Sequence, residues 1–269
     1  MSDQTLGKQA AQNLNAIRTQ KPLIHNITNF VVINYTANAL LACGASPVMA
    51  HAIEEVEEMV SLAKALVLNI GTLTKSWVDA MIIAGKRANE RHIPIILDPV
   101  GSGATRLRTE SARRLINELS ISVVRGNASE VLSLAQAGSR PKGVDSMHRV
   151  EEAATAAIAL ARELNMTLAI TGPIDLVTDG KRIHKVLNGH ELMGVVTGTG
   201  CTATALIGAF LSVDPDPVSA TATALAYFGL AGEKAAPLST GPGSFQIALL
   251  DALFGMDGNS LRKGSRIES

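Results

Sequence analysis

Aromatic residues are scarce in this 269-residue chain, only 3% of it: one Trp, two Tyr and five Phe. Its core, drawn from a 46% hydrophobic composition, is therefore aliphatic. Cysteine is scarcer still. Cys43 and Cys201 cannot build a disulfide scaffold, and they fit a reducing compartment. Net charge is absent, 24 basic against 24 acidic residues, so no global field recruits nucleic acid or acidic membrane. The one basic run is the short Arg262-Lys263-Gly264-Ser265-Arg266. Met1 to Ala11 lacks the apolar centre of a signal peptide, and a cytoplasmic protein is expected. No zinc pattern exists, because the six histidines are scattered and neither Cys has a C-x-x-C partner. No G-x-S-x-G nucleophile elbow occurs either; a Cys–His hydrolase using His25, His51, His92, His148, His184 or His190 stays open on residues alone.

What is present is alternation. Residues 4 to 20 carry Leu6, Ala10, Leu14 and Ile17 at helical spacing, stopped by Lys21-Pro22. A short strand from Leu23 runs into the amide-rich turn Asn26 to Asn29. Helix follows at Asn34–Cys43, ended by Gly44, then an extended Ser46–Ala50 and a helix at Ile53–Ala63. Strands are expected at Ala65–Ile70, Ile93–Leu97, Ser122–Val124 and Thr167–Ile170. Helices separate them at Ser76–Arg91, Thr109–Leu119, Ala128–Ala135 and His148–Leu164, with a loop at Gly138–Val144. Such βαβ spacing argues one α/β unit with a mainly parallel sheet covered on both faces. Asp175–Thr178 and Arg182–Leu187, joined across Asp179-Gly180, read as a late β-hairpin. Helices close the chain at Thr202–Leu211, Pro217–Ala235 and Phe245–Leu253.

The stretch Val195 to Ala205 organises the rest. Gly198-Thr199-Gly200 lets the backbone turn tightly at the start of a helix, where free N–H groups and the helix dipole favour a phosphate. Cys201 falls in the first turn, where the same field favours thiolate over thiol. A dinucleotide fingerprint is disfavoured, since no second strand follows, and no Gly-Lys-Ser/Thr completes a P-loop. Leu192 to Val213 carries no charge, but its glycines and threonines argue against a membrane span.

Polar residues collect at the ends of the expected strands: Asn26–Asn29, Asn69–Thr72, Asp98–Gly101, Arg125–Glu130 and Thr171–Pro173. In a parallel sheet these ends share one rim. Asp98 and Glu130 are the acids suited to a Mg²⁺–phosphate site, and Arg125 to phosphate oxygens. Plainer readings stand beside these: Asp98 as a turn-capping acid, Glu130 as a first-turn acid facing the dipole, Asn26 and Asn29 as helix caps.

The motifs resemble those of the hydroxyethylthiazole kinases, within the ribokinase-like superfamily. The resemblance rests on His25-Asn26-Ile27-Thr28-Asn29, Leu40 to Met49, Leu68-Asn69-Ile70-Gly71-Thr72, Leu97-Asp98-Pro99-Val100-Gly101, Arg125 to Glu130, Gly198-Thr199-Gly200-Cys201 and Gly241-Pro242-Gly243-Ser244-Phe245. It spans nearly the whole chain. It implies a single ribokinase-like three-layer αβα domain over residues 1–269, and ATP-dependent phosphorylation of the hydroxyl of 4-methyl-5-(2-hydroxyethyl)thiazole. By motif position, Asn29, Met49, Gly71 and Gly198 would line the thiazole site, Arg125 and Thr171 would touch ATP, and Asp98 and Glu130 would hold or orient Mg²⁺. Gly198, Thr199 and Gly200 would cradle phosphate. Cys201 stands where most ribokinase-like sugar kinases carry an Asp base. The family further implies a homotrimer with active sites at subunit contacts. Rival readings are a kinase for another small alcohol, such as a hydroxymethylpyrimidine; a nucleotide-dependent repair dehydratase, which would need Asp at position 201; and a silent nucleotide-binding protein.

Overall fold

The computed structural model describes residues 3–135 and 150–269. Leu6, Ala10, Leu14 and Ile17 are fully buried along α1 (Asp3–Gln20), as their helical spacing requires. The alternating region then runs β1 (Leu23–Ile27), α2 (Ile33–Cys43), β2 (Ser46–Val48), α3 (Val56–Leu62), β3 (Ala65–Asn69), α4 (Lys75–Glu90), β4 (Ile95–Asp98) and α5 (Arg106–Glu118). It continues with β5 (Val123–Gly126), α6 (Ala128–Leu132), α7 (Val150–Leu164) and β6 (Thr167–Ile170). The hairpin is β7 (Asp175–Thr178) and β8 (Ile183–Val186). After it come α8 (Thr199–Leu211), α9 (Pro217–Ala235), α10 (Pro242–Gly255), α11 (Gly258–Gly264) and β9 (Ile267–Glu268).

The nine strands among the described residues form one sheet in the order β2-β1-β3-β4-β5-β6-β7-β8-β9. Pairing is parallel from β2 through β6 and antiparallel from β6 to β9. Every residue of β3, β4 and β6 is buried, which is why these strands read as continuous apolar runs rather than alternating ones. One face is covered by α1, α2, α8, α9 and α10 around Leu40, Ile207, Phe210, Tyr227 and Phe245. The other is covered by α3, α4, α5, α6 and α7 around Trp77, Met81, Leu115, Val131 and Leu160. This is the expected three-layer αβα arrangement. The strand order reverses at β1, which lies between β2 and β3.

Departures from the expected elements have local causes. Helix α3 begins at Val56 rather than Ile53, since Val56 is the first fully buried residue and Ile53 is 45% exposed. Helix α8 begins three residues early, at Thr199, because Gly198 itself is the cap. Neither α11 nor β9 stands out in the sequence. The first is seven residues started by Asp257, whose carboxylate accepts from Ser260 N at 2.7 Å; the second is two residues held on β8. The loop expected over 138–144 and the helix start at His148 lie outside the described residues. Among the described residues no helix is long and apolar enough to cross a membrane.

Candidate active site

Four elements contribute to one buried polar chain at the carboxyl ends of β1, β3 and β4. Asn29, just past β1, donates from Nδ2 to Asn69 Oδ1 at 2.8 Å, at the end of β3. Asn69 Oδ1 also accepts from Gly71 N at 2.9 Å, so its amide orientation is fixed, and Nδ2 donates to Asp98 Oδ2 at 2.9 Å. Thr204 Oγ1, on α8, donates to the same oxygen at 2.8 Å. Asn29, Asn69, Asp98 and Thr204 are all buried, and strand register sets the central pair, Asn69 directly against Asp98. In the sequence Asn69 stands out only as the first residue of the polar strand end Asn69–Thr72, with no role of its own, and Thr204 does not stand out. Asn69 offered a signal, since a buried amide ends an otherwise apolar strand; Thr204 offered none among the threonines of α8.

Asp98 is wholly buried, and its Oδ1 has no hydrogen-bond partner. Burial is the larger influence on its carboxyl and pushes it up to about 6, against the pull of Arg125, whose Nη1 lies 3.8 Å from Oδ2. An unpartnered, nearly charged oxygen in this position suits a cation. Glu130 is placed differently. Its Oε1 accepts from Gly101 N at 2.8 Å and its Oε2 from Asn127 N at 2.9 Å, while Asn127 Oδ1 accepts from Glu130 N, a reciprocal capping box on α6. Glu130 therefore ties the turn after β4 to the turn after β5. Among the described residues no group of three or more His, Cys, Asp or Glu is gathered as a metal site.

Cys201 sits in the first turn of α8, as the sequence suggested, but its ionisation is reversed from expectation. Burial, and then the charge of Asp98, push the thiol up to about 11, against the help of hydrogen bonds from Asn69 and Asn29. Asn29 Nδ2 stands 3.4 Å from Sγ. The helix field is real but is outweighed by desolvation and a neighbouring carboxylate. Cys201 is a thiol near neutral pH, not a thiolate.

The Gly198 loop has the geometry expected of a phosphate cradle. Gly198 is left-handed, φ +87°, a conformation other residues rarely hold, and it opens the helix. At Gly200 a Cβ would lie 2.5 Å from Arg125 Nη1, so a side chain there would displace the guanidinium from its place over the helix start. Thr199 Oγ1 donates to Met193 O at 2.8 Å and anchors the loop from behind. Arg125, with Thr171 accepting from its Nη2, joins Thr199 and Gly200 in lining a cleft of about 760 Å³. Asn127, Asp175, His190, Met193, Leu225 and Phe228 complete much of its wall. Asp175 is a further residue the sequence reading passed over; burial lifts its carboxyl to about 6, and it accepts from Gly172 N at 3.0 Å. Of the sequence-predicted residues, Asn29, Gly71, Asp98 and Cys201 meet in the buried chain. Arg125, Thr171, Thr199 and Gly200 meet in the cleft, Gly198 caps α8 between the two, and Glu130 braces the turns. Met49 stands one strand away, half-buried after edge strand β2.

Comparison with known proteins finds that a model of the hydroxyethylthiazole kinase family matches residues 14–259. A hydroxyethylthiazole kinase of Desulfotalea psychrophila is 64% identical over 259 residues, 96% of this chain and 95% of its own. The solved structure of a hydroxyethylthiazole kinase from Pyrococcus horikoshii superposes with a TM-score of 0.89 at 47% identity, covering 96% of this chain and 98% of that one. A ribokinase-like superfamily protein from Enterococcus faecalis shares the fold, with a TM-score of 0.62 at 14% identity over 86% of each chain.

Proposed function

This chain belongs to the hydroxyethylthiazole kinase family, and on that premise we propose how its own residues divide the work of phosphorylating a thiazole alcohol. The enzyme transfers a phosphoryl group from ATP to the hydroxyl of 4-methyl-5-(2-hydroxyethyl)thiazole, giving the thiazole phosphate used in thiamine synthesis. One observation carries the assignment of roles: the buried chain Asn29–Asn69–Asp98 and the open cleft meet at one point, where Cys201, Gly200 and Arg125 adjoin.

On this reading ATP occupies the cleft, its phosphates directed to the N–H groups of Thr199 and Gly200, with Arg125 and Thr171 against them. The thiazole lies by Asn29, Gly71, Gly198 and Met49, its hydroxyl toward Cys201. Positioning and preset electrostatics then supply most of the acceleration. Cys201, a thiol at rest, accepts a hydrogen bond from Asn29 and orients the hydroxyl rather than holding a ready negative charge; as the new O–P bond forms and the bond to ADP breaks, the hydroxyl proton passes to an oxygen of the transferred phosphoryl group. Asp98, with its free Oδ1, would hold Mg²⁺, and Glu130 would orient it through the turn at Gly101. When bound, the ion neutralises phosphate charge.

Phe30, Val31, Leu41, Ile247 and Phe254 are large apolar residues exposed by 57% to 74% on or beside α2 and α10. Tyr35 Oη donates to Gln246 O and joins these helices into one face. That face supports a closed homotrimer with thiazole sites at its contacts. Light scattering should return three times 28.1 kDa. We also propose one kinase domain, from the one sheet that the described strands form and the helices packed on both its faces, and a cytoplasmic location, which the two free thiols Cys43 and Cys201 fit.

The test of substrate is ADP release with thiazole, pyrimidine and sugar alcohols under Mg²⁺-ATP. The thiazole alcohol should be fastest, since the acceptor side offers too few free polar groups for a sugar's hydroxyls. A pyrimidine alcohol or ribose turned over faster would overturn the assignment.

A further inference from the structure

The turns after β3 and β4 converge on a guanidinium that no step so far uses. Arg108, half-buried in the first turn of α5, donates from Nη1 to Ile70 O at 3.0 Å and Val100 O at 2.7 Å. Its Nη2 donates to Gly71 O at 2.9 Å. Ile70 and Gly71 follow directly on Asn69, and Val100 lies two residues past Asp98. One side chain thus holds main-chain oxygens from both turns.

Helix stability does not account for this placement. A cation in the first turn opposes the helix dipole, and α5 has no acid there. Ion pairing does not account for it either. On the same helix Arg106 pairs with Glu110, and Arg114 with Asp79 and Glu118, whereas no ion pair among the described residues involves Arg108. Its donors go to carbonyls, where a planar fork can span several acceptors and an ammonium cannot.

We propose that Arg108 is a positioning residue of phosphoryl transfer, locking the Ile70–Gly71 turn that follows Asn69 to the Val100 turn that follows Asp98. The proposal rests on the kinase reading above. Arg108 touches neither substrate; it fixes the distance between the residues that do. Misplacement by about 1 Å at a reacting centre costs on the order of 10²-fold in rate.

Steady-state kinetics of Arg108→Ala, Arg108→Lys and the wild type, each with its Tm, test this. Arg108→Ala should lower kcat by about 10²-fold and raise the KM for the thiazole alcohol, with the KM for ATP within about twofold, because Arg125 and Thr171 are untouched. Arg108→Lys should fall between, and millimolar guanidinium, but not tetramethylammonium, should restore Arg108→Ala severalfold. If Arg108→Ala does not fold, Arg108→Lys carries the test through the same split between kcat and the two KM values. Wild-type kinetics per folded molecule in whichever variant carries the test, or a loss that follows Tm alone with no rescue, would sink the proposal. A wild-type enzyme inactive on the thiazole alcohol would instead refute the substrate reading.

Discussion

The two halves of the site are built on opposite plans. On the acceptor side, Asn29, Asn69, Asp98 and Thr204 are buried, and every bond in the chain has a defined donor. On the nucleotide side, Arg125, Thr171, Thr199 and Gly200 face an open cleft of about 760 Å³. The acceptor side is preorganised, so little ordering remains when a small alcohol arrives. The nucleotide side offers a cradle and one cation, and a polyanion supplies the remaining charge on arrival. Burial fixes the geometry of the first half and also perturbs its ionisation: Asp98 lifted to about 6, Cys201 to about 11.

The deepest cut into this contrast is Asp98→Asn. It should abolish most turnover, by about 10³-fold or more, as loss of a preset electrostatic group does. It should nonetheless raise stability. The folded carboxyl binds its proton more tightly than the unfolded one, so native Asp98 adds stability at low pH that is lost as pH rises from about 4 to 6. Asparagine avoids that loss, worth on the order of 2–3 kcal/mol at neutral pH for a carboxyl lifted to about 6. Thermal melts of both proteins without Mg²⁺ across pH 4–8 check it; parallel curves would show that Asp98 is not the burdened group. Wild-type kcat/KM should also fall below about pH 6 as Asp98 takes its proton.

Next in size is the open half. Arg125→Gln should raise the KM for ATP and lower kcat, together by about 10²-fold, while thiazole binding stays near normal. Calorimetric titration of the thiazole alcohol alone separates the halves. If its affinity falls as far as ATP's, the two sides are not independent.

Smaller again is Cys201→Ala, expected to cost about tenfold in kcat, below the 10²–10⁴ of removing a full general base. Cys201→Asp should outperform Cys201→Ser, because a carboxylate can take the hydroxyl proton and an alcohol cannot. A loss beyond 10³ in Cys201→Ala at unchanged Tm would restore a thiolate base. The mildest change is a shift in titration. Alkylation of Cys201 should be slow at pH 7 and rise toward about pH 11, with its midpoint lower in Asp98→Asn, since the Asp98 charge opposes thiolate formation. An unmoved midpoint would mean that burial alone sets it.

Much of this was written locally. The uninterrupted apolar run Ala65–Leu68 read as a buried strand, Asp179-Gly180 as a hairpin turn, and Gly198-Thr199-Gly200 before an apolar stretch as the opening of a helix with free N–H groups, and the structure has all three. Those signals come from neighbours in the chain, and the strand-end motifs Asp98-Pro99-Val100-Gly101 and Arg125-Gly126-Asn127 gave the chemistry at each tip. Tertiary structure alone decided which tips touch. Register set Asn69 against Asp98, the order reversal at β1 brought Asn29 beside them, and α8 laid Thr204 and Cys201 over the same carboxylate. The ionisation of Cys201 belongs to that second category. A helix N-terminus is visible in sequence, but the burial and the neighbouring charge that overrule it depend on residues about a hundred or more positions away, and desolvation has no local signature.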